Sequence, residues 1–219
     1  FKMSSVIGSE GIDVLLPDGV EAGDITVSTD ADGVGTIQID KAVSGLEITA
    51  TEETTVVSGK KLTDSTVTAK GSKGETSNVA VESKAFNNGT IENKGKGSLE
   101  VSVDGANFKK STIDAGNKKR DDSISFEGSA KVDKGTIIAG KGNDNIVFGK
   151  KVSFKGTTNI DLGKGGKDSI VVNADQIKGG TLNISNFTKK DTITVGDETF
   201  TYKDIKNGAE IPNVKITLA

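Results

Sequence analysis

The sequence predicts an all-β protein: a parallel β-solenoid with about 23 residues and three short strands per turn. Three observations carry this. The segments "DSISF" (122–126), "DNIVF" (144–148), "DSIVV" (168–172) and "DTITV" (191–195) recur with their aspartates 22, 24 and 23 residues apart. Further apolar landmarks keep the same period. The composition also suits many short strands joined at tight corners, with 28 glycines, two prolines, 33% hydrophobic residues and only 4% aromatic.

Each strand of the turn is expected from its own column. "SNVAV" (77–81) and "SLEVSV" (98–103) extend the first series upstream, aligning Val79, Val101, Ile124, Ile146, Ile170 and Ile193. Two residues on, Val81, Val103, Phe126, Phe148, Val172 and Val195 share the same side, because strand side chains alternate. The second strand is expected at Phe86, Phe108, Val132, Phe154, Ile177 and Phe200. The third is expected at Ile91, Ile113, Ile137, Ile160, Leu182 and Ile205, most of them preceded by threonine. An antiparallel sandwich has no need for three landmarks on one period.

"VVSGKKLTDSTV" (56–67) supplies one more turn, and before residue 50 the register blurs, although "GTIQI" and "GLEITA" are strand-like. The expected division is a β-rich cap, linker or docking segment over 1–50 and a solenoid of roughly six to seven turns over 51–205. Residues 206–219 are then a C-terminal strand and assembly tail, ending in the β-prone "IPNVKITLA". No amphipathic helix is expected to cap either end.

Composition removes several function classes. The chain has neither cysteine nor histidine, which excludes Cys/His zinc sites, cysteine nucleophiles and histidine acid–base catalysis within these residues. One arginine (Arg120), one tyrosine (Tyr202) and no tryptophan are poor material for a sugar-cleaving site on a β-helix. Asp121–Asp122 beside Arg120 reads as a solvated turn. "GKGGK" (163–167) lacks phosphate-loop spacing, and "STDADGVG" (28–35) lacks the length and terminal Glu of an EF-hand loop. Asn88 and Asn183 head N-x-[ST] triplets and read as turn and strand residues. The net charge of −3 gives no nucleic-acid footprint, and no apolar run reaches the roughly 18 residues of a membrane span. The expectation is therefore a non-enzyme, with no nucleic-acid partner and no membrane insertion. The opening Phe1 fits a processed or partial chain, so a removed leader stays open.

The corner between turns carries the one recognisable motif. In "AGKGNDNIV" (139–147) Gly140, Gly142, Asp144 and Ile146 are spaced as G-x-G-x-D-x-U, with Ala139 in place of a further glycine. The next corner, "LGKGGKDSI", keeps Gly163, Gly165 and Asp168 with one extra residue. The preceding "AGNKKRDDSI" keeps Gly116 and Asp122, and "NFTKKDTI" keeps Asp191. This pattern, over about residues 112–205, resembles the G-G-x-G-x-D-x-U-x nonapeptide of the RTX, or hemolysin-type, repeat family. The last turn, "NISNFTKKDTITVGDETFTYKDI", looks like the closing segment of such domains. The resemblance implies calcium between successive corners, held by aspartate carboxylates and glycine carbonyls. On this chain the ligands would be Gly140, Gly142, Asp144, Gly163, Gly165 and Asp168. The repeats are degenerate, however. Lys118, Lys119, Lys141, Lys164, Lys167, Lys189 and Lys190 stand beside the aspartates, and a cation there offsets repulsion that calcium would relieve. The residues favour a scaffold that keeps the fold and largely dispenses with the metal.

The functional expectation is a secreted, extracellular or cell-surface structural solenoid. It would serve a bacterial surface layer, matrix filament or adhesin stalk, and form a homo-oligomer or polymer through its ends. A cell-surface glycan or a capsid is the further partner. The alternatives are a phage fibre or virion-surface protein, and the RTX-type calcium-binding carrier domain of a secreted protein.

Overall fold

The computed structural model describes residues 5–51 and 54–219. The chain winds into a parallel β-solenoid of about seven turns with about 23 residues per turn. Each turn up to Asp161 contributes a strand to each of three faces. On the first face Val34–Ile39, Thr54–Gly59, Thr76–Ser83, Ser98–Asp104 and Ser123–Glu127 lie side by side, followed by Asn145–Phe148, Ser169–Val172 and Thr192–Val195. The second face runs from Val43–Ser44 through Ala85–Asn87 and Lys131–Asp133 to the first half of Ser153–Asp161. The third runs from Glu47–Ala50 through Thr112–Asp114 to Gly180–Phe187 and Val214–Leu218. The parallel stack thus already includes residues 34–50, where the sequence register blurs.

Alternation explains the core. Every second side chain points inward, and parallel pairing sets like residues about 4.8 Å apart along the axis. Val79, Val101, Ile124, Ile146, Ile170 and Ile193 are successive partners on the first face. Phe86, Phe108, Val132 and Phe154 follow one another on the second. Large and small residues alternate in three turns, Val81 with Phe86, Val103 with Phe108 and Phe126 with Val132, whereas Phe148 and Phe154 share the next turn. The rings consequently form one chain through the core, with centroids 5.9 Å apart at Phe86–Phe108, 5.3 Å at Phe108–Phe126 and 5.2 Å at Phe126–Phe148. Phe148–Phe154 closes it at 4.9 Å, edge to face.

The columns fail near the tail, for identifiable reasons. In the seventh turn the second-face strand is replaced by the 3-10 helix Ala174–Gly179, which still buries Ile177. The extra length shifts the third strand by two residues, so Ile160 pairs with Ile184, and Leu182 lies opposite Thr158. A two-residue slip preserves the inward side, and both Leu182 and Ile184 are fully buried. Phe200 does not continue the second column. A two-residue turn with Gly196 at φ 64° reverses the chain, and Glu198–Thr201 pairs antiparallel with Thr192–Val195. Ile205 does not continue the third column either. It lies in the helix Tyr202–Lys206, which Thr201 and Asp204 start with a reciprocal capping box. The next third-face partner is Ile216.

Reversed strands cover the head on the first and third faces and the tail on the first face, whereas Val214–Leu218 continues the third face in parallel. At the head, Ile12–Leu16 lies antiparallel to Glu47–Ala50, Ser5–Ser9 lies antiparallel to it, and Ile25–Thr29 is antiparallel to Val34–Ile39. Ile12, Val14, Leu16 and Ile25 close the core from above. Gly35 makes room for this plug, since a Cβ there would sit 1.9 Å from Ile12 Cδ1. At the tail the short helix and half-buried Phe200 and Tyr202 pack on the last turn.

Candidate functional site

The glycine and aspartate corner joins the third face to the first. Asp122, Asp144, Asp168 and Asp191 stack just before the first-face strands, and all four are buried. Their orientation has one cause. Each Oδ1 accepts the backbone N–H of the turn before: Leu99 to Asp122 at 2.7 Å, then Asp122 to Asp144, Asp144 to Asp168 and Asp168 to Asp191 at 2.8 Å. The corner bends too sharply for these amides to reach the strand ladder, so the carboxylates satisfy them. Outside this rail runs a second one, in which Asn143 N–H meets Asp121 Oδ1 and Lys167 N–H meets Asn143 Oδ1, each at 2.8 Å. Asp121–Asp122 is thus not a solvated turn, because Asp122 lies in the buried rail.

Burial governs the electrostatics. Desolvation pushes Asp122 up to about 6, against the lowering effect of the Leu99 N–H and Arg120. Desolvation likewise raises Asp144 and Asp168 to about 7, and the neighbouring carboxylates add to the rise. Oδ2 of Asp122 and of Asp144 is buried without a partner. The flanking lysines do not relieve this. Lys118, Lys119, Lys141, Lys164, Lys167, Lys189 and Lys190 are exposed, and among the described residues none forms an ion pair with the column.

The glycines close the gap between turns. A Cβ on Gly140 would lie 2.0 Å from Gly116 O, and one on Gly163 only 1.7 Å from Gly140 O. Gly142 and Gly166 face Arg120 O and Gly142 O at 1.6 and 1.5 Å in the same sense. Gly166 therefore stacks on Gly142, where the spacing pointed to Gly165. The extra residue of that corner is taken up at Gly165, which faces open space. Gly140, Gly142, Asp144, Gly163 and Asp168 are brought together as expected, and Gly165 stands outside their columns.

Arg120 was legible only as the single arginine of the sequence, and its placement was missed. Its Nη1 donates to Gly95 O at 2.9 Å and Gly97 O at 2.6 Å, and Nη2 donates to Ala115 O at 3.1 Å. A fixed guanidinium thus bridges the corner at 95–97 and the one that follows it, both upstream of the corners at 140–144 and 163–168 to which the family resemblance assigns a metal. Asn93 finishes that corner, accepting Gly95 N–H and donating to Gly97 O, each at 3.0 Å. Calcium takes about six to eight oxygens. Among the described residues no group of three or more acidic side chains gathers to hold a metal. With each Oδ1 committed to an amide, the donor set fits a hydrogen-bonded rail better than a calcium cage.

No protein-family model, curated protein or solved structure matches the chain.

Proposed function

We propose that the chain is a non-enzymatic structural subunit of an extracellular assembly, such as a surface layer, matrix filament or adhesin stalk, that stacks head to tail through its solenoid ends. One observation carries this reading: among the described residues the edge strands at the two ends pair on one side only, and they match in direction. Ser5–Ser9 runs the same way as the third-face strands, as does Val214–Leu218. Ile25–Thr29 and Glu198–Thr201 both run against the first-face strands. A copy stacked on another would continue both faces with parallel pairs at each junction. Such edges template further strands unless they are blocked, and a heterologous contact propagates unless rotation closes it. Val6, on the head edge strand, is 61% exposed, an apolar side chain with no cover of its own.

Composition supports the non-enzymatic half, since the buried carboxylates already hold amides and the chain brings no histidine or cysteine to them. The corner in this reading works without bound calcium. The test is light scattering and electron microscopy on the full chain, on a chain lacking residues 210–219, and on Val6→Lys. Both variants are expected to abolish polymers while circular dichroism still reports folded β-structure. A full-length chain that stays monomeric at high concentration, or variants that polymerise unchanged, would overturn the proposal.

A further inference from the structure

The outer side of the glycine corner forms a trough of about 520 Å³ along the solenoid axis. Its floor is backbone, because Gly116, Gly140 and Gly163 stack there without side chains. The two walls differ. One is the last outward column of the third face, Glu92, Asp114, Ile138 and Asp161, which are successive partners. The other is a row of exposed lysines, one per turn: Lys94, Lys118, Lys141 and Lys164. Lys94 reaches across to Glu92 at 3.4 Å, and Lys141 and Lys164 have no ion-pair partner among the described residues. Asp114 and Asp161 spend one oxygen each on the N–H of Gly116 and Gly163, at 2.9 and 2.8 Å. Asp161 also takes the Asn186 amide at 2.6 Å.

We infer that this trough binds a linear acidic polysaccharide of the polyuronate kind, laid along the axis. Successive turns rise about 4.8 Å, of the order of the length of one pyranose unit, and each corner brings a lysine to the trough, with Lys141 in register with Lys119 and Lys118 beside it. A uronate ring carries an anionic group on one edge and hydroxyls on the other. Its carboxylate would face the lysine wall, its hydroxyls would donate to Asp114 and Asp161, and Ile138 offers the apolar ring face a contact. Charge distribution points the same way. Residues 1–53 hold 11 of the 31 acidic residues and 2 of the 28 basic ones, leaving the rest of the chain net cationic. That acidic head would offer a second copy of the chain to the same lysines, but a uniformly acidic protein surface would meet the carboxylate wall as like charge. The polysaccharide is the better complement.

The inference does not require head-to-tail assembly, and its test reads binding directly. Polygalacturonate oligomers are titrated calorimetrically into the full chain at low and high salt, beside methyl-esterified polygalacturonate and poly-glutamate. The combined variant Lys118→Glu, Lys141→Glu, Lys164→Glu is compared with Lys109→Glu, Lys131→Glu, Lys155→Glu on the second face, both checked for native melting. Saturable, salt-sensitive binding of polygalacturonate is expected, at least about tenfold weaker in the trough variant and unchanged in the second-face variant. If the trough variant fails to fold, the Lys→Gln set at the same positions reads the same loss. Absence of binding at low salt, equal weakening by both variants, or equal affinity for poly-glutamate would overturn the inference.

Discussion

Two corners of each turn drive the backbone into left-handed space, and they ask opposite things of the sequence. Between the second and third faces the column runs Asp64, Asn88, Lys110, Lys134 and Gly156, with φ of 49°, 47°, 48°, 53° and 64°. The first four residues are exposed, and each donates its N–H to the next turn, as Lys110 does to Asp133 O at 2.8 Å. Asp, Asn and Lys are tolerated there because only the local conformation costs anything, about 1–2 kcal/mol for an L-residue. Between the third and first faces the φ values are also positive, at 133° for Gly142 and 106° for Gly166. Here the carbonyl of the preceding turn fills the space a Cβ needs. At this corner Gly140, Gly142, Gly163 and Gly166 mark where turns touch, and a positive φ alone does not require glycine.

The strongest way to break that comparison is Gly142→Val. A side chain 1.6 Å from Arg120 O cannot be accommodated without separating two turns. The expected loss is about 4 kcal/mol or more in denaturant unfolding, and a loss below about 1 kcal/mol would show that the turns do not touch as described. The next effect is pH dependence. The carboxyls of Asp122, Asp144 and Asp168 are raised by burial to about 6, 7 and 7. A raised acid binds its proton more tightly in the folded state. Its stabilising contribution is therefore complete below the unfolded value near 4 and is lost as pH climbs through 6 and 7. Melting temperature should fall from pH 5 to pH 8. Asp144→Asn keeps an oxygen for the Asp122 N–H but cannot titrate, so it should flatten this slope. A slope of opposite sign, or one unchanged in the variant, would rule out the buried rail as its source. At the tolerant corner, Lys134→Gly is expected to change stability by less than about 1 kcal/mol, the relief of strain offsetting the added freedom of the unfolded chain. A larger loss would mean that Lys134 contributes more than its backbone angle.

The same contrast explains what the sequence revealed. The first-face columns were readable from Val79 and Val81 onward because each inward position of the two columns is apolar there, whereas Thr55 and Gly35 interrupt the first of them upstream. The Gly140, Gly142 and Asp144 corner was readable because contact between turns restricts the residue type. The second corner was not, since Asp64, Asn88, Lys110 and Lys134 share only a backbone angle. The tail misled for a related reason. Phe200 and Ile205 hold the right spacing, but the turn at Gly196 and the capping box of Thr201 and Asp204 redirect the chain locally. Spacing points to Gly165, since it does not show which residue of an insertion bulges outward, and Gly166 takes the stacked place. Arg120 was read as part of a solvated turn, since nothing in its neighbours marks the carbonyls of Gly95 and Gly97 as its acceptors.

The proposed reading is that hydrogen-bonded carboxylates, with one guanidinium upstream of them, hold the turns along this edge without calcium. It is tested most directly by thermal unfolding of the full chain at pH 8, followed by circular dichroism, in excess chelator and in millimolar calcium. A ligand that binds only the folded state must raise the melting temperature with its concentration. The account predicts the same β signal and the same melting temperature in both conditions. Loss of the β signal in chelator, restored by calcium, would contradict it.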